Sequence, residues 1–218
     1  MSVVVNKARA DEITVAKFGG TSVADYQAML RCAHIIKNDA CNRLVVVSAS
    51  AGVTNNLVRL SQENVPESEQ REIIADIAKI QFAITQHLIC QQSLDLEVNE
   101  ILTALAVCAA KQATEFSLKN SDEILSFGEQ LSSRIFAQVL QTVGVNGHYF
   151  DVRQVMKTDD LHGKAQVELA QLAINANTLL LPQLTDKVIV TQGFIGSDQN
   201  GNTTTLGRGG SDYSAALL

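Results

Sequence analysis

The ten residues Thr203-Thr204-Thr205-Leu206-Gly207-Arg208-Gly209-Gly210-Ser211-Asp212 bring together three glycines, an arginine, an aspartate and four hydroxyl side chains. They come after an apolar, strand-like run from Lys187 to Thr191, and Tyr213 to Leu218 reads as the start of a helix. A glycine-rich turn that opens a helix presents unpaired N–H groups at the positive end of the helix dipole, which suits a phosphate or a carboxylate. A second turn of this kind follows the strand-like residues 13–18, in Lys17-Phe18-Gly19-Gly20-Thr21-Ser22. Adjacent glycines let a backbone approach a ligand closely, and a lysine beside them supplies a point charge for phosphate. Thr21 or Ser22 can N-cap the amphipathic helix expected from near Val23. Taken alone, Lys-x-Gly-Gly is equally an ordinary strand–turn–helix connection. The chain has neither the G-x-x-x-x-G-K-[ST] loop nor the G-x-G-x-x-G dinucleotide fingerprint.

A third loop lies between these two. The β-branched run from Arg43 to Val47 reads as a buried parallel strand. It ends in Ser48-Ala49-Ser50-Ala51-Gly52-Val53-Thr54-Asn55. Open α/β sheets bind ligands at the C-terminal ends of such strands; the same loop also reads as a plain βα connection capped by Thr54 or Asn55. Gly128-Glu129 interrupts an apolar helical pattern. A mid-helix glycine costs about 1 kcal/mol against alanine, so something packs closely there. On pattern alone Glu129 faces solvent; turned inward, it would suit an ammonium group.

The elements that must position these residues follow from periodicity. Strands are expected over 13–18, 43–48, 147–150 and 187–193, and helices over 23–38 and 166–180, with Pro182 as a stop. Between the second and third strands lies a helical block. Ile73, Ile77, Ile80, Ile84 and Leu88 form one stripe, Ile101, Leu102, Leu105 and Cys108 a second, and Ile124, Phe127, Leu131, Ile135 and Val139 a third. Strands alternating with helices predict an α/β fold, a mostly parallel sheet with helices on both faces. The block reads as an inserted helical cap, about 62–120.

Composition sets the class. The 218 residues are 46% hydrophobic and 18% charged, enough apolar material for a real core. A net charge of −6 argues against nucleic acid as a partner. No apolar run approaches the roughly 18 residues that a membrane span needs. Val3-Val4-Val5 is too short for a signal-peptide core. Cys32, Cys41, Cys90 and Cys108 contain no C-x-x-C pair and suggest neither zinc nor a disulfide framework. A reducing cytoplasm is the simplest compartment.

Taken in order, five segments resemble the motifs of aspartokinases. They are Lys17 to Ala24, Ser48 to Asn55, Ser126-Phe127-Gly128-Glu129, Gln192-Gly193-Phe194-Ile195-Gly196, and Thr203 to Leu218. The Ser-Ala-Ser-Ala-Gly loop and the Thr-Thr-Thr-Leu-Gly-Arg-Gly-Gly-Ser-Asp segment look most like the monofunctional, lysine-sensitive type. The resemblance runs from about residue 13 to the end and leaves 1–12 as an N-terminal extension. It implies the amino-acid-kinase fold, an open α/β sandwich, and transfer of a phosphoryl group from MgATP to the β-carboxylate of L-aspartate. That reaction opens the route to lysine, threonine, methionine and diaminopimelate.

The resemblance also implies roles. Lys17 would lie against the transferring phosphoryl group, with Gly19, Gly20 and Ser22 toward the ATP phosphates. Ser48 and Thr54 would hold the reacting end of aspartate. Arg208 would grip its α-carboxylate, Glu129 would pair with its ammonium, and Phe194 and Ser211 would line the pocket. Asp212 would hold Lys17 in place. Mg²⁺ would sit mainly on ATP phosphates and water, with no protein ligand named. Family members continue for a comparable length past Leu218. The rest of the nucleotide site and a pair of lysine-binding ACT domains are therefore expected outside this sequence, with the fragment inactive alone and the full-length protein a feedback-inhibited homo-oligomer. Two other readings stand beside this one: an amino-acid kinase with another acceptor (glutamate, acetylglutamate, carbamate or UMP), or a non-catalytic amino-acid-binding module.

Overall fold

The computed structural model describes residues 13–218; the expected extension, 1–12, lies outside the described residues. Four short strands, β1 (Thr14–Phe18), β2 (Asn42–Val47), β3 (Gly147–Tyr149) and β4 (Val188–Gln192), make one parallel sheet in the order β1-β2-β4-β3. β2 and β4 are central and almost wholly buried. Both faces are covered, which is why these strands read as near-continuous apolar runs and not as alternating ones.

Val45, Val47 and Val190 point to one side of the sheet. There they meet α1 (Tyr26–Asn38), α2 (Val53–Leu60) and α5 (Leu118–Thr142). Leu44 and Ile189 point to the other, against Leu172, Leu180 and Leu184. These three belong to a segment that starts as α6 (Leu169–Asn175). α3 (Glu67–Thr85) and α4 (Gln91–Thr114) pack on each other and on α2 and α5. α7 (Gly210–Leu217) lies against β1 and β2.

α5 is the spine of the molecule. Its 25 residues are buried on almost every side between Ser126 and Ala137. The polar groups on that stretch are bonded inside: Ser132 Oγ donates to the Ser48 carbonyl at 2.8 Å, and Ser133 Oγ to the Glu129 carbonyl at 2.7 Å. Buried polar atoms that stay paired avoid the desolvation penalty.

Three expectations change. The first helix begins at Tyr26, capped by Asp25, whose carboxylate accepts the Ala28 N–H at 2.8 Å. Thr21 and Ser22 instead belong to a 3-10 turn, Gly20–Val23, in which the Ser22 N–H returns to the Gly19 carbonyl. The helix expected over 166–180 begins at Leu169, because Val167 bridges to Thr158 and the Glu168 N–H bonds the Lys157 carbonyl. It then widens into a π turn, Ala176–Leu180, and tightens into a 3-10 turn, Leu181–Thr185. Pro182 has no N–H to continue an α-helix. Third, a hairpin of β5 (Ile195–Ser197) and β6 (Thr203–Thr205) follows β4. Its turn is organised by the Asp198 carboxylate, which accepts from Asn200 N at 2.9 Å, Asn202 N at 2.8 Å and Asn202 Nδ2 at 2.7 Å.

Candidate active site

The C-terminal ends of β1, β2 and β4 lie side by side, and their loops are stitched together. The Ser48 N–H donates to the Phe18 carbonyl (3.1 Å), Ala51 to Gly20 (3.0 Å) and Gly193 to Val47 (2.9 Å). This is the edge at which open α/β sheets take ligands. Glycine makes the approach possible. A Cβ on Gly20 would stand 2.8 Å from the Ala49 carbonyl oxygen, and one on Gly128 of α5 would stand 2.6 Å from the Ala49 Cβ. The close packing expected at Gly128 is therefore the β2 loop settling onto α5.

That contact turns Glu129 inward. It is buried, only 6% exposed, and its Oε1 accepts the Ala49 N–H at 3.2 Å. The outward orientation that the helical pattern favours is thus corrected: with Gly128 against Ala49, the next residue also lies under the loop. Burial pushes the Glu129 carboxyl up to about 8; hydrogen bonds from the Ala49 and Glu129 backbone N–H groups oppose the rise only in part.

The other wall comes from the end of the chain. A Cβ on Gly193 would collide with Ser211, so the loop after β4 is pressed against the first turn of α7. Phe194 sits at φ +70°, an unusual conformation for a side-chain-bearing residue. It is held there on both sides. Its N–H donates to Ser214 Oγ at 3.0 Å, and its carbonyl accepts the Leu206 N–H at 2.9 Å. Gly207 and Gly209, at φ +75° and +77°, turn the chain sharply around Arg208 into α7. Asp212, in the first turn of α7, then meets Lys17 of β1, with Nζ to Oδ1 at 2.8 Å.

One cavity of about 460 Å³ gathers Lys17, Ser48, Thr54, Glu129, Phe194, Arg208, Ser211 and Asp212. The volume is in the usual range for a small-molecule site. Glu129 is its buried carboxyl wall, and Lys17 and Arg208 are cations at its rim. Gly19, Gly20 and Ser22 are not among its lining residues. Gly19 stands beside the Lys17 amine, at 3.7 Å from a Cβ built on it, and the Ser22 N–H is already used within its turn. Sequence reasoning missed Val58, Leu125 and Gly163, which also line the cavity, and gave no separate role to Thr205 of the glycine-rich segment, which does so too. It also missed Asp122, which lies behind it. Asp122 is seven residues before Glu129, two helical turns on the same face, and that spacing was the available signal.

Among the described residues no group of three or more acidic, histidine or cysteine side chains is placed to hold a metal ion, and no helix is long and apolar enough to cross a membrane.

The profile of the amino acid kinase family matches residues 12–218. The chain belongs to the amino acid kinase family. It is 48% identical over 207 residues to the lysine-sensitive aspartokinase 3 of Escherichia coli, covering 95% of this chain and 46% of that protein. Its structure is similar to that of E. coli aspartokinase III in complex with aspartate and ADP (TM-score 0.92, 48% identity, 94% of this chain and 46% of that one). It is also similar to the form of that enzyme in complex with lysine and aspartate (TM-score 0.91, 47% identity, again 94% and 46%). This amino acid kinase chain thus spans about half the length of the relatives it matches.

Proposed function

We propose that this chain supplies the acceptor side of an aspartate kinase, which phosphorylates the β-carboxylate of L-aspartate at the expense of ATP. The observation that carries the reading is a single cavity joining a buried carboxyl, Glu129, to two cations, Lys17 and Arg208. Aspartate presents one ammonium and two carboxylates, the complementary set. The E. coli relative whose structure holds aspartate and ADP supports the same choice.

In this reading the substrate ammonium pairs with Glu129 and its α-carboxylate with the planar fork of Arg208. The β-carboxylate is then directed toward Lys17, with the Ser48 and Thr54 hydroxyls at its side. One of its oxygens attacks the γ-phosphorus in line. The new O–P bond forms as the bond to the β,γ-bridging oxygen breaks, giving β-aspartyl phosphate and ADP. No general base is required, because a β-carboxylate is ionised at pH 7. Two anions must be brought together, so positioning and charge neutralisation carry the catalysis. Lys17 does this at the transferring group, held by Asp212, while Gly19, Gly20 and Ser22 flank the phosphate path.

The residues present fit a phosphate-held Mg²⁺. The one carboxylate at the cation-bearing rim, Asp212, is engaged by Lys17, which leaves the ion to phosphate oxygens and water. When bound, it would neutralise charge on the phosphates. We read α3 and α4 as the helical insertion, the compartment as cytoplasmic, and lysine feedback and self-association as properties of the full-length protein.

The test is hydroxylamine trapping of acyl phosphate on the full native reading frame, with MgATP and L-aspartate, against glutamate, acetylglutamate and UMP. Aspartate-dependent hydroxamate supports the reading. Product only with another acceptor would reassign the substrate, and no product with any acceptor would leave an amino-acid-binding module as the better account.

A further inference from the structure

Asp122 is 1% exposed, and both of its oxygens are engaged. Oδ1 accepts from Thr205 Oγ1 at 2.5 Å, Oδ2 lies 2.8 Å from His162 Nδ1, and the Gly163 N–H donates to both, at 3.1 and 3.0 Å. None of this belongs to the chemistry described above, since Asp122 and His162 do not line the cavity. Two of their partners do: Thr205 and Gly163.

We propose that Asp122 is a positioning residue for the acceptor pocket, with the His162 imidazole as its partner; this rests on the reading of the cavity as an aspartate site. The argument is geometric. α5 carries Glu129, the group assigned to the substrate ammonium. The end of β6 leads through Gly207 to Arg208, the group assigned to the α-carboxylate. Arg208 itself is exposed, on a glycine-flanked turn with little to fix it. Just before it, Leu206 is bonded to the Phe194 carbonyl on the β4 side, and Thr205 is tied to α5 through Asp122.

The loop around residues 159–166 completes the clasp. It is closed on itself by Asp159, whose carboxylate accepts the Leu161 N–H at 3.2 Å and the Gln166 N–H at 2.9 Å. The Ala165 N–H also bonds the Thr205 carbonyl at 2.9 Å. One buried carboxylate therefore sets the spacing between the ammonium-binding and carboxylate-binding groups. A buried carboxylate is stabilised only when fully bonded, and its bonds to charged or polar donors are short and directional. Filling the same space with apolar atoms would close the gap without fixing that spacing.

The test uses the full native reading frame with Asp122→Asn, Thr205→Val and His162→Phe. Asp122→Asn and Thr205→Val should raise the aspartate KM about ten-fold or more, as expected for lost charge-assisted hydrogen bonds, with the ATP KM within about two-fold. His162→Phe, which keeps the Thr205 and Gly163 bonds, should do so less. Amide hydrogen exchange supplies a readout independent of turnover. In Asp122→Asn the Gly163 amide should exchange faster while the β2 amides stay protected. Unchanged aspartate KM, or a parallel rise in both KM values with faster exchange across the sheet, overturns the proposal and leaves Asp122 a general structural residue. If Asp122→Asn does not fold, Thr205→Val, which keeps the side-chain shape, decides. If the parent enzyme gives no aspartate hydroxamate, the acceptor reading has failed, and Gly163 exchange alone decides whether the clasp exists.

Discussion

Burial raises the Glu129 carboxyl to about 8, so in the empty pocket it holds its proton through most of the neutral range. An ammonium beside it would favour the ionised form, and aspartate binding would then displace that proton. The sign follows: at pH well below 8 binding works against protonation, so the aspartate KM should fall as pH rises through that value. Glu129→Gln should raise KM and flatten the profile; an unchanged pH dependence in that variant would place the ammonium elsewhere. Arg208→Ala should raise the aspartate KM roughly ten- to hundred-fold, in line with charge-assisted bonds worth about 1.5–3 kcal/mol, while the ATP KM changes far less. Lys17→Ala should lower kcat by orders of magnitude with aspartate still bound, as shown by ligand-dependent thermal stabilisation. Near-normal turnover would remove Lys17 from the phosphoryl path.

At the level of elements, the site depends on how closely α5 and the β2 loop approach. Gly128→Ala would gain roughly 1 kcal/mol of helix propensity. The added methyl would stand 2.6 Å from the Ala49 Cβ and 3.0 Å from Leu57, and such overpacking typically costs roughly 1–3 kcal/mol. We expect a lower denaturation midpoint together with a raised aspartate KM, because the displaced residue is the one whose N–H meets Glu129; a more stable variant with normal KM would contradict this. The same contact shows what the sequence could tell. The parallel sheet and helices α1, α3, α4 and α5 were legible, the buried strands as continuous apolar runs and the stripes of α3, α4 and α5 from apolar residues at three- and four-residue spacing. Close packing at Gly128 was legible too, from the stability cost of a mid-helix glycine. The orientation of Glu129 was not, because period alone cannot say that a loop from another strand covers that face. The β5–β6 hairpin was missed although Ser197-Asp198-Gln199-Asn200-Gly201-Asn202 is rich in turn formers, because three-residue strands carry too little pattern. Asp122 and His162 escaped because they are 40 residues apart and meet only through tertiary packing.

For the molecule as a whole, titration of buried groups limits stability on both sides. Burial alone would raise Asp151, but hydrogen bonds and charge from Arg153 outweigh it and hold its carboxyl below the usual range. Asp198 is lowered likewise: the rise that burial would cause is outweighed by bonds from Asn202 and Asn200. Their stabilisation is present above the unfolded carboxylate range and is lost as pH falls through their lowered values. Glu129 works in the opposite sense. Its folded value is raised, so its contribution is complete below the unfolded value and is lost as pH climbs toward about 8. The ligand-free protein should therefore be most stable in mildly acidic solution, and Glu129→Gln should remove the decline toward pH 8 in a thermal melt; a parent stability that rises steadily to pH 8 would contradict this. The Lys17–Asp212 pair has one more consequence, for the way the chain is made. Its partners lie near the two ends of the described sequence, and contacts of such separation are among the last that a folding chain can close. During synthesis Lys17 leaves the ribosome 195 residues ahead of Asp212 and waits for the segment between them. That end of the cavity therefore cannot close before the whole segment from β1 to α7 has emerged, and any ligand that needs the closed pair can protect the fold from proteolysis only after that point.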